Sequence, residues 1–292
     1  MELVVLRFGA SLAIASSRLF TYHSGVILAD REACLIDPGL LPGEIDSLAR
    51  HITSRGATLT SIILTHGHWD HILGPERLSN VRTVAHAAFP EEGSDQRAKR
   101  VANQVTKWCA KQGIDRARRF AVPHPDETFD PVHECTVGPV SIRLIHAPGH
   151  AVDHAVVYLE EDGILWAADM LSDLEIPYVC DSLIQYELTL ERLLALGPNT
   201  LIPAHGAMTR DASEIRRRFD ADRSYLAALH DHVEQALRDG CGVEETVARC
   251  ADMEFANPCA NRRAHRLNVE HAFCELGGRA DASRLGWNRL HS

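Results

Sequence analysis

Thr65-His66-Gly67-His68-Trp69-Asp70-His71-Ile72 directly follows the apolar run Ser61-Ile62-Ile63-Leu64. The run is short and β-branched, which predicts a buried strand. The eight residues after it then sit at the carboxyl end of that strand. Three imidazoles and a carboxylate between His66 and His71 have no place in an apolar core, because buried polar groups are costly unless paired or metal-bound. Histidines at i and i+2 of a turn can aim two ring nitrogens at one ion about 2.0–2.1 Å away. Asp70 and His71 can face a second ion beside it. A metal site is the expectation, set against the plainer reading of a surface histidine cluster.

Composition bounds the rest. With 292 residues, 45% of them hydrophobic and 24% charged, the chain is an ordinary globular protein. It is large enough for one big α/β domain with an appendage, or for two domains. A formal charge of −10 argues against a broad nucleic-acid surface. One stretch runs the other way: Arg97 to Arg119 holds eight Lys or Arg against Asp115 alone. It reads as a solvated helix face, or more sharply as a grip for an anionic part of a substrate. The eight cysteines are scattered without a CxxC pair, which favours a reduced, cytoplasmic setting over a disulfide framework. Glu2, Arg7 and Gly9 interrupt the apolar N-terminus, so neither a leader peptide nor a membrane span is expected there, and Leu3–Leu6 reads as a first strand.

Working outward from the histidine stretch, Gly25–Ala29 and Ala33–Ile36 predict a hairpin around a charged turn. It stops at Asp37-Pro38-Gly39, where Asp37 either shapes the turn or holds a metal ligand from behind. Glu44–Arg55 predicts an amphipathic helix. Val81–Ala85 reads as a strand, Gln96–Gln112 as a helix, and 122–132, with three prolines, as an irregular connector. Pro139–Ile145 alternates like a strand and runs into His146-Ala147-Pro148-Gly149-His150. Ala155–Leu159 and Ile164–Ala168 predict a further hairpin, whose second strand ends at Asp169. A helix over Leu190–Leu196 and a strand over Thr200–Ile202 lead to His205. His or Asp recurs at strand ends, where a rigid scaffold carries exposed groups.

In this order, His66-x-His68-x-Asp70-His71, the Ala-Pro-Gly-His150 context, Asp169 and His205 resemble the ligand series of the metallo-β-lactamase-fold hydrolase superfamily, and Asp37-Pro38-Gly39 matches its early motif. The resemblance covers about residues 20 to 210. It implies a four-layer αβ/βα sandwich. By the same resemblance His66, His68 and His150 would hold one metal, Asp70, His71 and His205 a second, and Asp169 would bridge them. The best-known class B β-lactamases have Arg at His71 and Cys at Asp169, and the diiron flavoproteins have Glu at His68. The chain is thus more similar to glyoxalase II-like thioesterases, lactonases and β-lactamase-like-2 proteins.

The implied cofactors are two divalent ions, zinc foremost, with iron or manganese as alternatives. The implied reaction is hydrolysis of a carboxylic thioester, ester or lactone by a metal-bridging hydroxide, with Asp70 and Asp169 catalytic. A phosphodiesterase or nuclease of the same fold and a mononuclear iron persulfide dioxygenase are the alternatives. The expected partner is a small acyl substrate, with homo-oligomerisation left open. His154 is read as a buttress of the site or as packing; Trp69, Tyr178 and Tyr186 are candidate substrate contacts. His146 is read as structural, and His23, His86, His124, His133 and the C-terminal histidines as unremarkable. Residues 1–210 would form the catalytic domain. Residues 211–292 would form a C-terminal extension of three helices, Asp211–Arg238, Val243–Cys250 and Ala264–Leu276, packed on it as a lid or an added layer.

Overall fold

A computed structural model describes residues 5–8, 11–91, 96–115 and 119–280. Leu3 and Val4 of the expected first strand, Arg116 and Arg118 of the basic stretch, and 281–292 of the C-terminal extension lie outside them. The described residues form two sheets and six helices, the expected mixed α/β class with a helical C-terminal region. The chain divides into two compact units, Met1–His146 with Asp153–Ile164, and Ala147–Val152 with Leu165–Ser292.

The first unit is built on a sheet whose seven strands follow in chain order: β1 Val5–Phe8, β2 Leu12–Ser16, β3 His23–Ala29, β4 Glu32–Ile36, β5 Thr58–Ile63, β6 Arg82–His86 and β7 Glu127–Phe129. The first four pair antiparallel, with Gly25 opposite Ile36 and Ala29 opposite Glu32 in the predicted hairpin. From β4 onward the pairing is parallel, which demands long crossovers. The helices α1 (Pro42–Ser54) and α2 (Gln96–Gln112) lie in two of them. On α1 the buried Ile45, Leu48 and Ile52 recur at helical spacing, and Pro42 stands in the first turn, where its missing N–H costs nothing. The Glu44 carboxylate turns back to the Leu40 and Leu41 N–H groups and takes the Ser17 hydroxyl at 2.8 Å. That anchors the helix start. On α2 the apolar side chains Val101, Val105 and Trp108 are buried, while Lys99, Lys107 and Lys111 face solvent.

Also in this unit, β8 (Val132–Val137), β9 (Val140–His146) and β10 (Ala155–Leu159) run as an antiparallel meander. β8 packs against β3 and β4. The β8–β9 turn is pinned where Gly138 N–H donates to the Glu32 carboxylate at 3.1 Å. One strand, β7, lies inside the expected connector region 122–132, and β8 begins at its last residue. Neither was visible as a pattern: β7 is three residues long, and β8 alternates half-covered and exposed side chains.

The second unit holds β11 (Ile164–Ala168) after its first residue, β12 (Thr200–Pro203) and the helices α3 (Leu183–Ala195), α4 (Ala212–Arg238), α5 (Val243–Cys250) and α6 (Pro258–Glu275). Two helices begin earlier than their apolar periodicity suggested, and the cause is chemical in both. Ser182 caps α3 by accepting from Gln185 N–H. Pro258 opens α6. Asp211 caps the 27-residue α4 through Ser213 and Glu214 N–H. The stripe Ile215, Phe219, Leu226, Leu229 and Val233 is buried, and α4 packs on α3, α5, α6 and β12.

Candidate metal centre

In the first unit the donors cluster just past β5. His66 and His71 are fully buried, with ring centroids 4.1 Å apart, and His68 lies 4.5 Å from His66. Asp70 Oδ2 is 3.9 Å from His71 Nε2. The buried carboxylate of Asp37 organises this group. It accepts from Thr65 N–H at 2.8 Å, from the Thr65 hydroxyl at 2.6 Å and from His71 Nδ1 at 3.0 Å. Since an ionised carboxylate only accepts, His71 carries its proton on Nδ1 and presents a lone pair at Nε2. Thr65 Oγ1 has given its hydrogen to Asp37 and stands 3.2 Å from His66 Nδ1. It can therefore accept from that ring and leave His66 in the same tautomer. A ring N–H held by a carboxylate or carbonyl is how proteins orient metal-ligating histidines.

Two further contacts set the loop. Gly67 N–H donates to the buried Asp153 carboxylate at 2.7 Å. A Cβ at Gly67 would lie 2.3 Å from Pro90 Cδ, so only glycine passes there. His154, next to Asp153, is fully buried with its ring 5.2 Å from His66. Trp69 stands in an aromatic row, 6.3 Å from Phe20 and 5.2 Å from Trp108. Arg97, the first residue of the basic stretch, turns inward to Ala88 O at 2.9 Å and to within 3.9 Å of Asp153.

In the second unit Asp169 follows β11 and shares its carboxylate between two imidazoles. His150 Nε2 is 3.4 Å from Oδ2, and His205 Nε2 is 3.7 Å from Oδ1. His150 Nδ1 is 2.9 Å from the Tyr178 carbonyl, which can only accept, so the ring proton sits on Nδ1. The Nε2 lone pair of neutral His150 then faces a carboxylate oxygen. Two electron-rich atoms in that relation call for a cation or a second ring proton between them. The donor set, imidazole nitrogen and carboxylate oxygen, suits divalent zinc, iron or manganese.

The supports of this group are also local. Gly149 has φ +128°, and a Cβ there would lie 2.4 Å from Tyr186 Cα. Tyr186 is fully buried, its phenol held well above the ordinary range by burial, and its hydroxyl reaches Asp169 O at 3.5 Å. Tyr178 is half-buried, its phenol also raised by burial. The Ser172 hydroxyl donates to His205 O at 2.8 Å.

A third cluster, His86, Asp130 and His146, is grouped closely enough to suggest an ion, but its chemistry disagrees. The two rings stack at 3.7 Å and 11°, a pose that aims neither nitrogen between them. His86 Nδ1 receives the Ala88 N–H at 3.1 Å, which puts the ring proton on Nε2, 3.5 Å from Asp130. That proton blocks the His86 donor. Asp153 and Thr65 were not singled out in the sequence. Thr65 was quoted only as the start of the stretch, and a lone Asp eighty-six residues from its partner leaves no pattern.

The two sheets with crossover helices, and His and Asp past the strand ends, define a mixed α/β fold with a candidate metal centre. The chain belongs to the metallo-beta-lactamase superfamily: the model of that family matches residues 18–205. Among curated relatives, a hydroxyacylglutathione hydrolase of Acidiphilium cryptum is 29% identical over 249 residues, 83% of this chain and 90% of that protein. A beta-lactamase-like protein 2 homolog of Drosophila melanogaster is 26% identical over 59% of this chain and 54% of its own. An atrochrysone carboxyl ACP thioesterase of Aspergillus aculeatus is 29% identical over 61% of this chain and 49% of its own. The chain thus spans about half the length of these last two. Among solved structures, a metallo-beta-lactamase family protein of Thermus thermophilus matches with a TM-score of 0.63 at 22% identity, over 92% of this chain and 90% of that one.

Proposed function

We propose that the chain is a dinuclear metal-dependent hydrolase of carboxylic thioesters, esters or lactones. The observation that carries the reading is the Asp169 carboxylate set against the Nε2 edges of His150 and His205. In this proposal the two donor groups serve one centre: His66, His68 and His150 on one ion, Asp70, His71 and His205 on the other, and Asp169 common to both. Bound divalent ions supply a Lewis acid for the scissile carbonyl and lower the pKa of a water nucleophile.

The chain's own residues do the rest. Asp37 and the Tyr178 carbonyl keep His71 and His150 in the ligating tautomer. Asp70 can take up a proton after attack. Phe20, 53% exposed, together with Trp69 offers an apolar edge beside the histidine loop for the acyl portion. Relatives named hydroxyacylglutathione hydrolase and carboxyl ACP thioesterase support an acyl substrate. Of the basic stretch that would favour a phosphodiester, Arg97 is engaged by Ala88 O and the Asp153 carboxylate. No helix among the described residues is long and apolar enough to cross a membrane.

The test is acid release from an acyl-thioester, an acyl-homoserine lactone, an aryl ester and a phosphodiester by the zinc-loaded chain and by Asp169→Asn. Turnover of a carbonyl substrate that Asp169→Asn abolishes is the expected result. Activity on the phosphodiester alone, or iron-dependent oxygen uptake with none of the four cleaved, would overturn it.

A further inference from the structure

Residues 170–182 join Asp169 to α3 without a ladder of their own, and buried backbone groups in such a segment need partners. Side chains of the C-terminal helices and the turn before α6 supply them in series. Arg218 of α4 donates to Leu171 O at 3.3 Å, and Asn257 and Asn261 donate to Leu174 O at 2.8 and 3.0 Å. Glu275 of α6 accepts from the Ser182 hydroxyl and from Leu183 N–H at 2.5 and 2.7 Å. The fully buried Asn268 takes the middle. Its Nδ2 donates to Pro177 O at 2.6 Å and to the Tyr225 hydroxyl at 2.9 Å, and its Oδ1 accepts from Val179 N–H at 2.9 Å.

Pro177 and Val179 flank Tyr178, so one side-chain amide clamps the backbone on both sides of that residue. The carbonyl between the two clamps is the one that holds His150 Nδ1 at 2.9 Å. We propose that Asn268 is a positioning residue for His150. By fixing the direction of the Tyr178 carbonyl it keeps the ring proton on Nδ1 and leaves Nε2 for a divalent ion. The proposal rests on the reading of His150 as a metal ligand. It gives α6 a task at the centre that its sequence does not announce.

The experiment measures zinc affinity by chelator competition and the visible absorption of the Co(II)-loaded chain. Loss of a group that orients a ligating histidine typically costs about 10–100-fold in affinity. Asn268→Ala is expected to show a loss of that size for one ion and a changed Co(II) spectrum. Asn261→Ala removes a clamp seven residues earlier on the same helix and is expected to leave the spectrum unchanged. A folded Asn268→Ala with unaltered zinc affinity and spectrum would overturn the proposal. If Asn268→Ala does not fold, Tyr225→Phe frees one Nδ2 hydrogen and is expected to cost a few-fold in affinity; no change in that folded variant overturns the proposal equally. His150→Ala separates the two readings. Undiminished ion binding there removes the ligand assignment, whereas loss of an ion in His150→Ala but not in Asn268→Ala removes only the role of Asn268.

Discussion

Asp37 gathers three donors on one fully buried carboxylate: the backbone and hydroxyl of Thr65 and the imidazole of His71. Removing it strands all three, and each buried donor without an acceptor costs about 1–3 kcal/mol. Asp37→Ala is therefore expected to lower the urea midpoint sharply and to weaken zinc binding about 10–100-fold, read by chemical denaturation and chelator competition. Gly149 makes a different demand. Its φ of +128° and the Tyr186 backbone beside it leave no room for a methyl group. Gly149→Ala carries about 1–3 kcal/mol of backbone strain with a steric clash added. A loss of stability and of zinc affinity together is the expected outcome, measured by thermal melts with and without metal.

At the scale of secondary structure, the donors of each unit are carried on loops that follow strands and are fastened by neighbouring segments. The loop after β5 is held by β4's end and by Asp153; the loops after β11 and β12 are held by Ser172 and by α4. The guanidinium of Arg218, itself gripped by Glu214 at 2.8 Å, donates to Ala207 O at 2.7 Å. Beside it the buried Asp222 accepts from Leu171 N–H, and burial pushes its carboxyl up to about 8 despite that contact and the Arg218 charge. An unfolded Asp titrates near about 3.9. Between those values the folded chain holds a proton that the unfolded chain has lost. Stability therefore falls as pH rises from about 4 to about 8 and levels off above. Asp222→Asn is expected to flatten this slope, and denaturation midpoints across that range would show it. An unchanged slope would mean that Asp222 is already ionised in the fold.

For the whole molecule, ions that bind only the folded chain must stabilise it. At a free zinc concentration 100 times Kd the gain is about 2.7 kcal/mol, seen as a raised Tm on adding zinc to metal-stripped protein. Asp169→Asn is expected to shrink that gain. Failure of zinc to raise the Tm of the unaltered chain would count against the metal centre.

Much of this was legible in the chain itself. The hairpin of β3 and β4 and the strands β10 and β11 follow from short continuous apolar runs, and the helix α2 from apolar residues recurring at helical spacing, signals carried by neighbouring residues. The donor residues stood out for the same reason: several costly polar side chains at the mouths of apolar runs need a cause. What tertiary structure alone decided is how those donors are held. Which ring nitrogen carries the proton on His71 and His150 depends on Asp37 and on a backbone carbonyl at Tyr178. The loop at Gly67 depends on Asp153, and Tyr178 in turn depends on Asn268, ninety-one residues beyond Pro177. Such contacts join groups far apart in sequence through single hydrogen bonds. They have no period and no composition, and they come into being only when packing brings the two segments together.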